Sequence, residues 1–119
     1  MPITDNDPWK IVFYESESGN NPVIDFLDGL PVKERVKADR FIDLLKKVGL
    51  HISEPHAAPL TKSKPLWELK PKPNRIFYCT LSGRRFLMLH AFTKKKNHTD
   101  KEHVKVALQR YYDFIERDK

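Results

Sequence analysis

Cysteine occurs once in the chain, at Cys79. A single thiol excludes an internal disulfide and cannot build a metal site with other thiols. Glycine is scarce too, with four in 119 residues, and none of them belongs to a glycine-rich phosphate loop. No apolar run approaches the ~20 residues of a membrane-spanning helix. The opening residues, Met1-Pro2-Ile3-Thr4-Asp5, lack the basic-then-apolar order of a secretory signal. These absences lead to the expectation of a cytoplasmic protein with no membrane partner. Acid is also missing locally. Between Leu60 and His98 the one carboxylate is Glu68, too few for a two-metal nuclease centre. The expectation is therefore no metal and no cofactor.

What is present is an apolar fraction of 39%, an aromatic fraction of 11% and 32% charged residues. That supports a single folded domain over residues 1–119 with a soluble surface. The net charge of +6 is unevenly placed. Residues 60–98 hold ten Lys and Arg against Glu68, a local charge of +9, so the rest of the chain carries −3. An evenly spread excess would speak only of solubility. A segregated one suggests a polyanionic partner, usually nucleic acid, although a solvated basic surface would look the same in a charge count.

Trp9-Lys10-Ile11-Val12-Phe13-Tyr14 is β-branched and aromatic and reads as a first strand. Asn21-Pro22 resembles an N-cap followed by proline at the first helical position, and Val23, Phe26, Leu27 and Leu30 follow at helical spacing. Pro31 breaks this helix and starts a second. Its apolar stripe is Val32, Val36, Phe41, Ile42, Leu45 and Val48, with Gly49 as the stop. Residues 51–64 show no period and contain Pro55 and Pro59, so an ordered loop is expected. Strands are expected over Leu66–Lys70, Arg75–Leu81 and Arg84–Phe92, with turns at Pro71–Asn74 and Ser82-Gly83. Thr99-Asp100-Lys101-Glu102 has the form of a capping box, and Val104, Ala107, Leu108, Tyr111 and Ile115 continue as a helix. The order is β-α-α-β-β-β-α. The predicted fold class is α+β: an antiparallel sheet meander backed by a helical hairpin and a C-terminal helix.

Alternation along the strands sorts the polar residues into faces. In the last strand Arg84, Phe86, Met88, His90 and Phe92 are expected on one side, opposite Arg85, Leu87, Leu89 and Ala91. His90 stands in an almost wholly apolar strand. A solvent-facing imidazole there would serve as acid or base; one packed against helices would be a structural hydrogen-bonding residue. Thr93-Lys94-Lys95-Lys96 follows directly, and Lys62, Lys64, Lys70 and Lys72 come from neighbouring loops or strand ends. A meander can gather these cations at one edge of the sheet, where they would bind an RNA backbone less tightly as salt rises. Phe92 could stack on a base, or fill the core. Without metal ligands, phosphoryl chemistry must run on cations and imidazole. RNA permits this, because its 2′-hydroxyl attacks the adjacent phosphate once a base, an acid and positive charge for the phosphorane are supplied.

Three linked segments, Leu66-Trp67-Glu68-Leu69-Lys70, Asn74-Arg75-Ile76-Phe77-Tyr78 and Leu87-Met88-Leu89-His90-Ala91-Phe92-Thr93-Lys94-Lys95, resemble the phage-derived HigB-like branch of the RelE toxin superfamily. The resemblance covers nearly the whole chain. It implies a RelE-like fold and a type II toxin that cleaves messenger RNA, commonly on the ribosome. It also implies a helix-turn-helix antitoxin as partner, with DNA contacted only through that complex. The resemblance assigns the strand-opening arginine to Arg75, the histidine before the strand end to His90, and the basic pair to Lys94 and Lys95; these are the candidate catalytic residues. Lys62, Lys64, Lys70, Lys72, Arg84, Phe92 and Lys96 are the candidate RNA contacts. Lys70 stands where the family usually has arginine, keeping the charge but losing the planar fork. Ala91 stands where it usually has glycine, and is expected to limit the approach of RNA to that strand.

Two other classes fit the same residues: a non-catalytic basic protein that binds RNA or DNA, and a structural half of a complex. The neighbouring reading frame discriminates. The toxin reading expects it to encode a small helix-turn-helix protein, and a neighbour of any other kind would count against that reading.

Overall fold

The β-branched and aromatic run after Trp9 forms β1 (Lys10–Phe13) in a computed structural model that describes residues 7–60, 65–95 and 100–118. Lys62, Lys64 and Lys96 lie outside the described residues, as does Thr99, where the expected capping box begins. Pro22 opens α1 (Pro22–Asp28), where its fixed φ suits the first helical turn and its missing N–H is not needed. Pro31 precedes α2 (Val32–Val48) in an extended conformation, and Gly49 ends that helix at φ +56°. Then follow β2 (Ala57–Pro59), β3 (Trp67–Leu69), β4 (Asn74–Leu81), β5 (Arg85–Thr93) and α3 (Lys101–Arg117).

The described strands form one five-stranded sheet in the order β1-β5-β4-β3-β2. β2 to β5 make the antiparallel meander, and β1 adds to β5 in parallel with Lys10 opposite Arg85 and Phe13 opposite Met88. The α+β class and the element order are as expected, with two differences. The loop expected over 51–64 contains a strand, β2; three residues ending in proline carry no periodic signal, and an edge position is where proline is tolerated. β1 also joins the sheet in parallel, where the sequence leads to an antiparallel sheet, and both faces of the sheet are buried. α1 and α2 cover Trp9, Leu69, Ile76, Tyr78, Phe86 and Met88. α3 covers Tyr14, Phe77, Cys79, Leu87, Leu89 and Phe92. Each fully buried Leu or Phe in these layers contributes about 1.5–3 kcal/mol. The expected stripe of α2 holds only from its second turn: Ala38, Ile42 and Leu45 are buried, while Val32 is 78% and Val36 42% exposed.

One register irregularity decides what α3 meets. His90 pairs with Phe77 and Met88 with Tyr78, so Leu89 is an extra residue with no partner in β4. A bulge of this kind shifts the alternation by one. Before it, Leu87 and Leu89 face α3; after it, His90 and Phe92 do so as well, and Ala91 turns to the α1–α2 side. The expected grouping of Phe86, Met88, His90 and Phe92 on one face is thereby corrected.

The other fixed point is the junction of Trp9 with Gly49. Trp9 is buried, stacks on Phe86 at 4.4 Å and donates its backbone N–H to Lys46 O at 3.0 Å. A Cβ on Gly49 would run into that indole, with Trp9 Cδ1 at 2.7 Å and Cε2 at 2.8 Å. The backbone there, at φ +56° and ψ −127°, is glycine territory in any case. Gly49→Ala should lower unfolding free energy by roughly 2–4 kcal/mol in urea denaturation at pH 7, from overpacking and strain together. A change under about 0.5 kcal/mol would show that the contact yields.

Candidate active site

The polar residues converge where β3 ends, β4 begins, β5 ends and α3 starts. A ladder of side chains fixes this corner: Asn74, itself buried, donates from Nδ2 to Glu34 Oε1 at 2.9 Å and accepts from Thr93 Oγ1 at 2.7 Å. Lys94 N–H donates to Pro73 O at 2.9 Å. Arg75 is opposite Phe92, and Glu68 is opposite Phe77, so both charged side chains lie on the α3 face.

Arg75 and Glu68 form an ion pair with Nε 3.2 Å from Oε2, each side chain only 11% exposed. Nη1 of Arg75 donates to Asn74 O at 3.1 Å, and no partner for Nη2 occurs among the described residues. Oε2 of Glu68 accepts no hydrogen bond within them either; the approach of Nε is close but off the hydrogen-bond axis. Burial pushes the Glu68 carboxyl above its ordinary range, and Arg75, Lys94 and Lys70 oppose the rise. Lys94 reaches Asp100 at 3.1 Å and Lys70 reaches Glu54 at 2.7 Å, while Lys72 and Lys95 are exposed.

Beside this corner lies a histidine pair. His90 Nε2 is 2.8 Å from His103 Nδ1, and His90 Nδ1 is 3.0 Å from Arg110 Nη1, which also donates to Leu89 O at 3.0 Å. The His103 ring lies flat on Phe92 with centroids 3.7 Å apart and 7° between planes. Burial, then the Arg110 charge and His103, push the His90 imidazole down to about 4. It is a neutral residue held under α3. The opposite end of the helix is fastened as well: Tyr14 Oη donates to Asp113 Oδ2 at 2.6 Å, and Arg117 bridges Asp113 and Glu15 O. Among the described residues no three His, Cys, Asp or Glu are placed to share a metal ion.

The model of one protein family, described as Phage derived protein Gp49-like (DUF891), matches residues 25–112. The chain belongs to the Gp49-like family. This is a RelE/HigB-like toxin–antitoxin family, which implies an antitoxin partner. No curated protein matches the chain. No helix among the described residues is long and apolar enough to cross a membrane.

The Gp49-like match spans every residue of the corner, from Glu68 to Arg110. Of the residues singled out in the sequence, the fold gathers Lys70, Lys72, Arg75, His90, Phe92, Lys94 and Lys95 there. Arg84 is elsewhere. It sits in the turn before β5 at φ +56°, over the Trp9 ring at 4.9 Å, bonded to Asp7 O. At ~3.3 Å per residue, that is roughly 26 Å along the strand from Phe92. Phe92 offers no open face on its His103 side, and Ala91 points to the far side of the sheet. Four residues were not singled out: Glu68, counted only as the lone acid, and Asp100, His103 and Arg110. A signal for two of them exists, because His103 and Arg110 interrupt the inner stripe of α3 at the spacing of Ala107 and Phe114.

His90 ties this geometry to pH. Its folded pKa is depressed, so the unfolded chain binds a proton from about pH 6.5 downward while the fold does not until about 4. The stability it contributes is present above 6.5 and lost as pH falls. Glu68, raised by burial, acts in the opposite sense. Between pH 7 and pH 5 the wild type should lose about 2 kcal/mol more than His90→Phe in urea denaturation. Equal losses in the two proteins would refute the neutral, desolvated His90.

Proposed function

We propose that this protein is the toxin of a type II pair and cleaves messenger RNA through the RNA's own 2′-hydroxyl, without a metal, in the setting of the ribosome. A helix-turn-helix antitoxin is the partner, and DNA is met only through that partner. The observation that carries the reading is the convergence of Arg75, Lys94 and the histidine pair at one sheet corner in a member of a toxin–antitoxin family.

The roles follow from how firmly each cation is held. Glu68 and Asn74 O hold Arg75 on two of its nitrogens, so Nη2 is the donor left for a phosphate oxygen as charge develops on the phosphorane. Lys94 is paired with Asp100 at a partly exposed site, where an ion pair is worth about 0–1 kcal/mol. A phosphate can therefore displace Asp100 at little cost, and Lys94 is a ready positioning cation. Lys95, exposed beside it, extends the same track, and Lys72 lies on the adjoining β3–β4 turn. Lys70 is engaged by Glu54 and ranks below them.

In a translating extract the wild type should cut messenger RNA in the presence of a chelator, leaving 2′,3′-cyclic or 3′-phosphate ends. Arg75→Ala should reduce cleavage by ~10²–10³-fold. Lys94→Ala should reduce it ~10-fold with a smaller salt dependence, corresponding to one lost phosphate contact. Both variants should relieve growth arrest on expression while keeping the wild-type circular dichroism spectrum. Intact RNA with tight, salt-dependent binding would mark a binder instead, and arrest by both variants at wild-type strength would overturn the residue assignment.

A further inference from the structure

The hydrogen-bond chain under α3 has a direction, because arginine can only donate. Arg110 Nη1 donates to His90 Nδ1, so that nitrogen carries no proton. The proton of the neutral His90 ring is then on Nε2 and is donated to His103 Nδ1. His103 Nδ1 is an acceptor in turn, which leaves the His103 proton on Nε2. In an imidazole ring the two nitrogens point roughly opposite ways, so this N–H is aimed away from His90. No hydrogen bond to His103 Nε2 occurs among the described residues.

We propose that His103 is a neutral hydrogen-bond donor to a non-bridging phosphate oxygen of the RNA, with His90 and Arg110 as the positioning residues that lock its tautomer. The inference rests on the RNA-cleaving reading above and assigns it a further contact residue. Location supports it. The His103 ring is stacked on Phe92, Phe92 is the cross-strand partner of Arg75, and Asp100, three residues earlier at the cap of α3, holds Lys94. The donor thus belongs to the corner that presents the phosphate-binding cations.

The lock also excludes the familiar alternative. Protonating His103 on Nδ1 would set two N–H groups against each other unless His90 gave up its own. Moving the His90 proton to Nδ1 would set it against the Arg110 guanidinium. His90 stays neutral where a free histidine gains charge, in agreement with this geometry. Among the described residues, the charged groups named at this corner are Arg110 on α3, the Lys94–Asp100 pair at the helix start, and Arg75 with Glu68 on β4 and β3 beyond Phe92. Of these, Arg110 is the charge that adds to burial in lowering His90.

Two measurements on the full chain test this. Nitrogen-15 NMR of the histidine rings at pH 7 should show protonated Nε2 and bare Nδ1 in both His90 and His103, with His90 keeping its tautomer as pH falls through the range where a free histidine gains charge. In Arg110→Met the lock is released, and one imidazole should titrate with a midpoint near the ordinary ~6.5. A His103 with its proton on Nδ1, or identical titrations in wild type and Arg110→Met, overturns the lock. In single-turnover RNA cleavage His103→Phe should be ~10–10²-fold slower, the scale of one lost transition-state donor. His103→Gln, which keeps an N–H donor, should recover part of the loss. Wild-type rates in His103→Phe overturn the donor role. A wild type that cuts no RNA overturns the RNA reading and the assigned ligand together, while the tautomers stand or fall on the NMR alone.

Discussion

Leu89 has no partner in β4, and the shape of the site depends on that single extra residue. Strand alternation would place His90 and Phe92 beside Phe86 and Met88, on the face packed by α1 and α2. The bulge turns them toward α3 instead, where His90 meets Arg110 and His103, and Phe92 becomes the platform for the His103 ring. The same shift moves Ala91 to the opposite layer, out of the way of anything approaching the corner. A bulge costs one ladder pairing and redirects every side chain after it. Here it brings the end of β5 into register with the first turns of α3.

The corner is more balanced electrically than its lysines and arginines suggest. Glu68, Asp100 and Glu54 each meet one of its cations, at 3.2, 3.1 and 2.7 Å. These pairs differ in kind. Arg75 and Glu68 are both nearly buried, so removing one would strand the other's charge in a poorly solvated place. The Lys94–Asp100 pair is partly exposed and exchangeable. In the proposed cleavage, the fixed arginine stabilises charge developing on the phosphate and the exchangeable Lys94 positions the backbone. In the proposed reading, the neutral histidine pair adds a directed donor without adding another charge.

α3 joins these parts because it is fastened at both ends. His103 and Asp100 tie its start to Phe92 and Lys94; Asp113 and Arg117 tie its last turns to Tyr14 and Glu15. Between them Ala107 is fully buried against the sheet, with Val104, Leu108 and Tyr111 packed around it. The helix is therefore part of the site's wall as well as a cover for the core.

Much of this was legible in the chain of residues. Apolar spacing marked α1, α2, α3 and the meander strands β3 to β5, because periods of 3.6 and 2 are properties of the backbone and need no partner. The gathering of cations over residues 60–98, the motifs around Arg75, His90 and Lys94, and Gly49 as a helix stop were legible for the same local reasons. β2 was not, since three residues ending in proline have no period. The outward turn of Val32 and Val36 was not, since a stripe does not say where its neighbour ends. The separation of Arg84 from the corner, by contrast, was legible, since a strand over Arg84–Phe92 sets its two ends a strand length apart. His90 shows the division most clearly. Its residue type and its place in a strand are in the sequence, but its face depends on a bulge defined only against β4. Its protonation depends on burial, and then on an arginine twenty positions away that is brought into contact only when α3 packs on the sheet. The sequence by itself determined the elements and the chemistry on offer; tertiary structure decided which groups meet and which charges are already paired, because those are relations between strands and helices rather than properties of either.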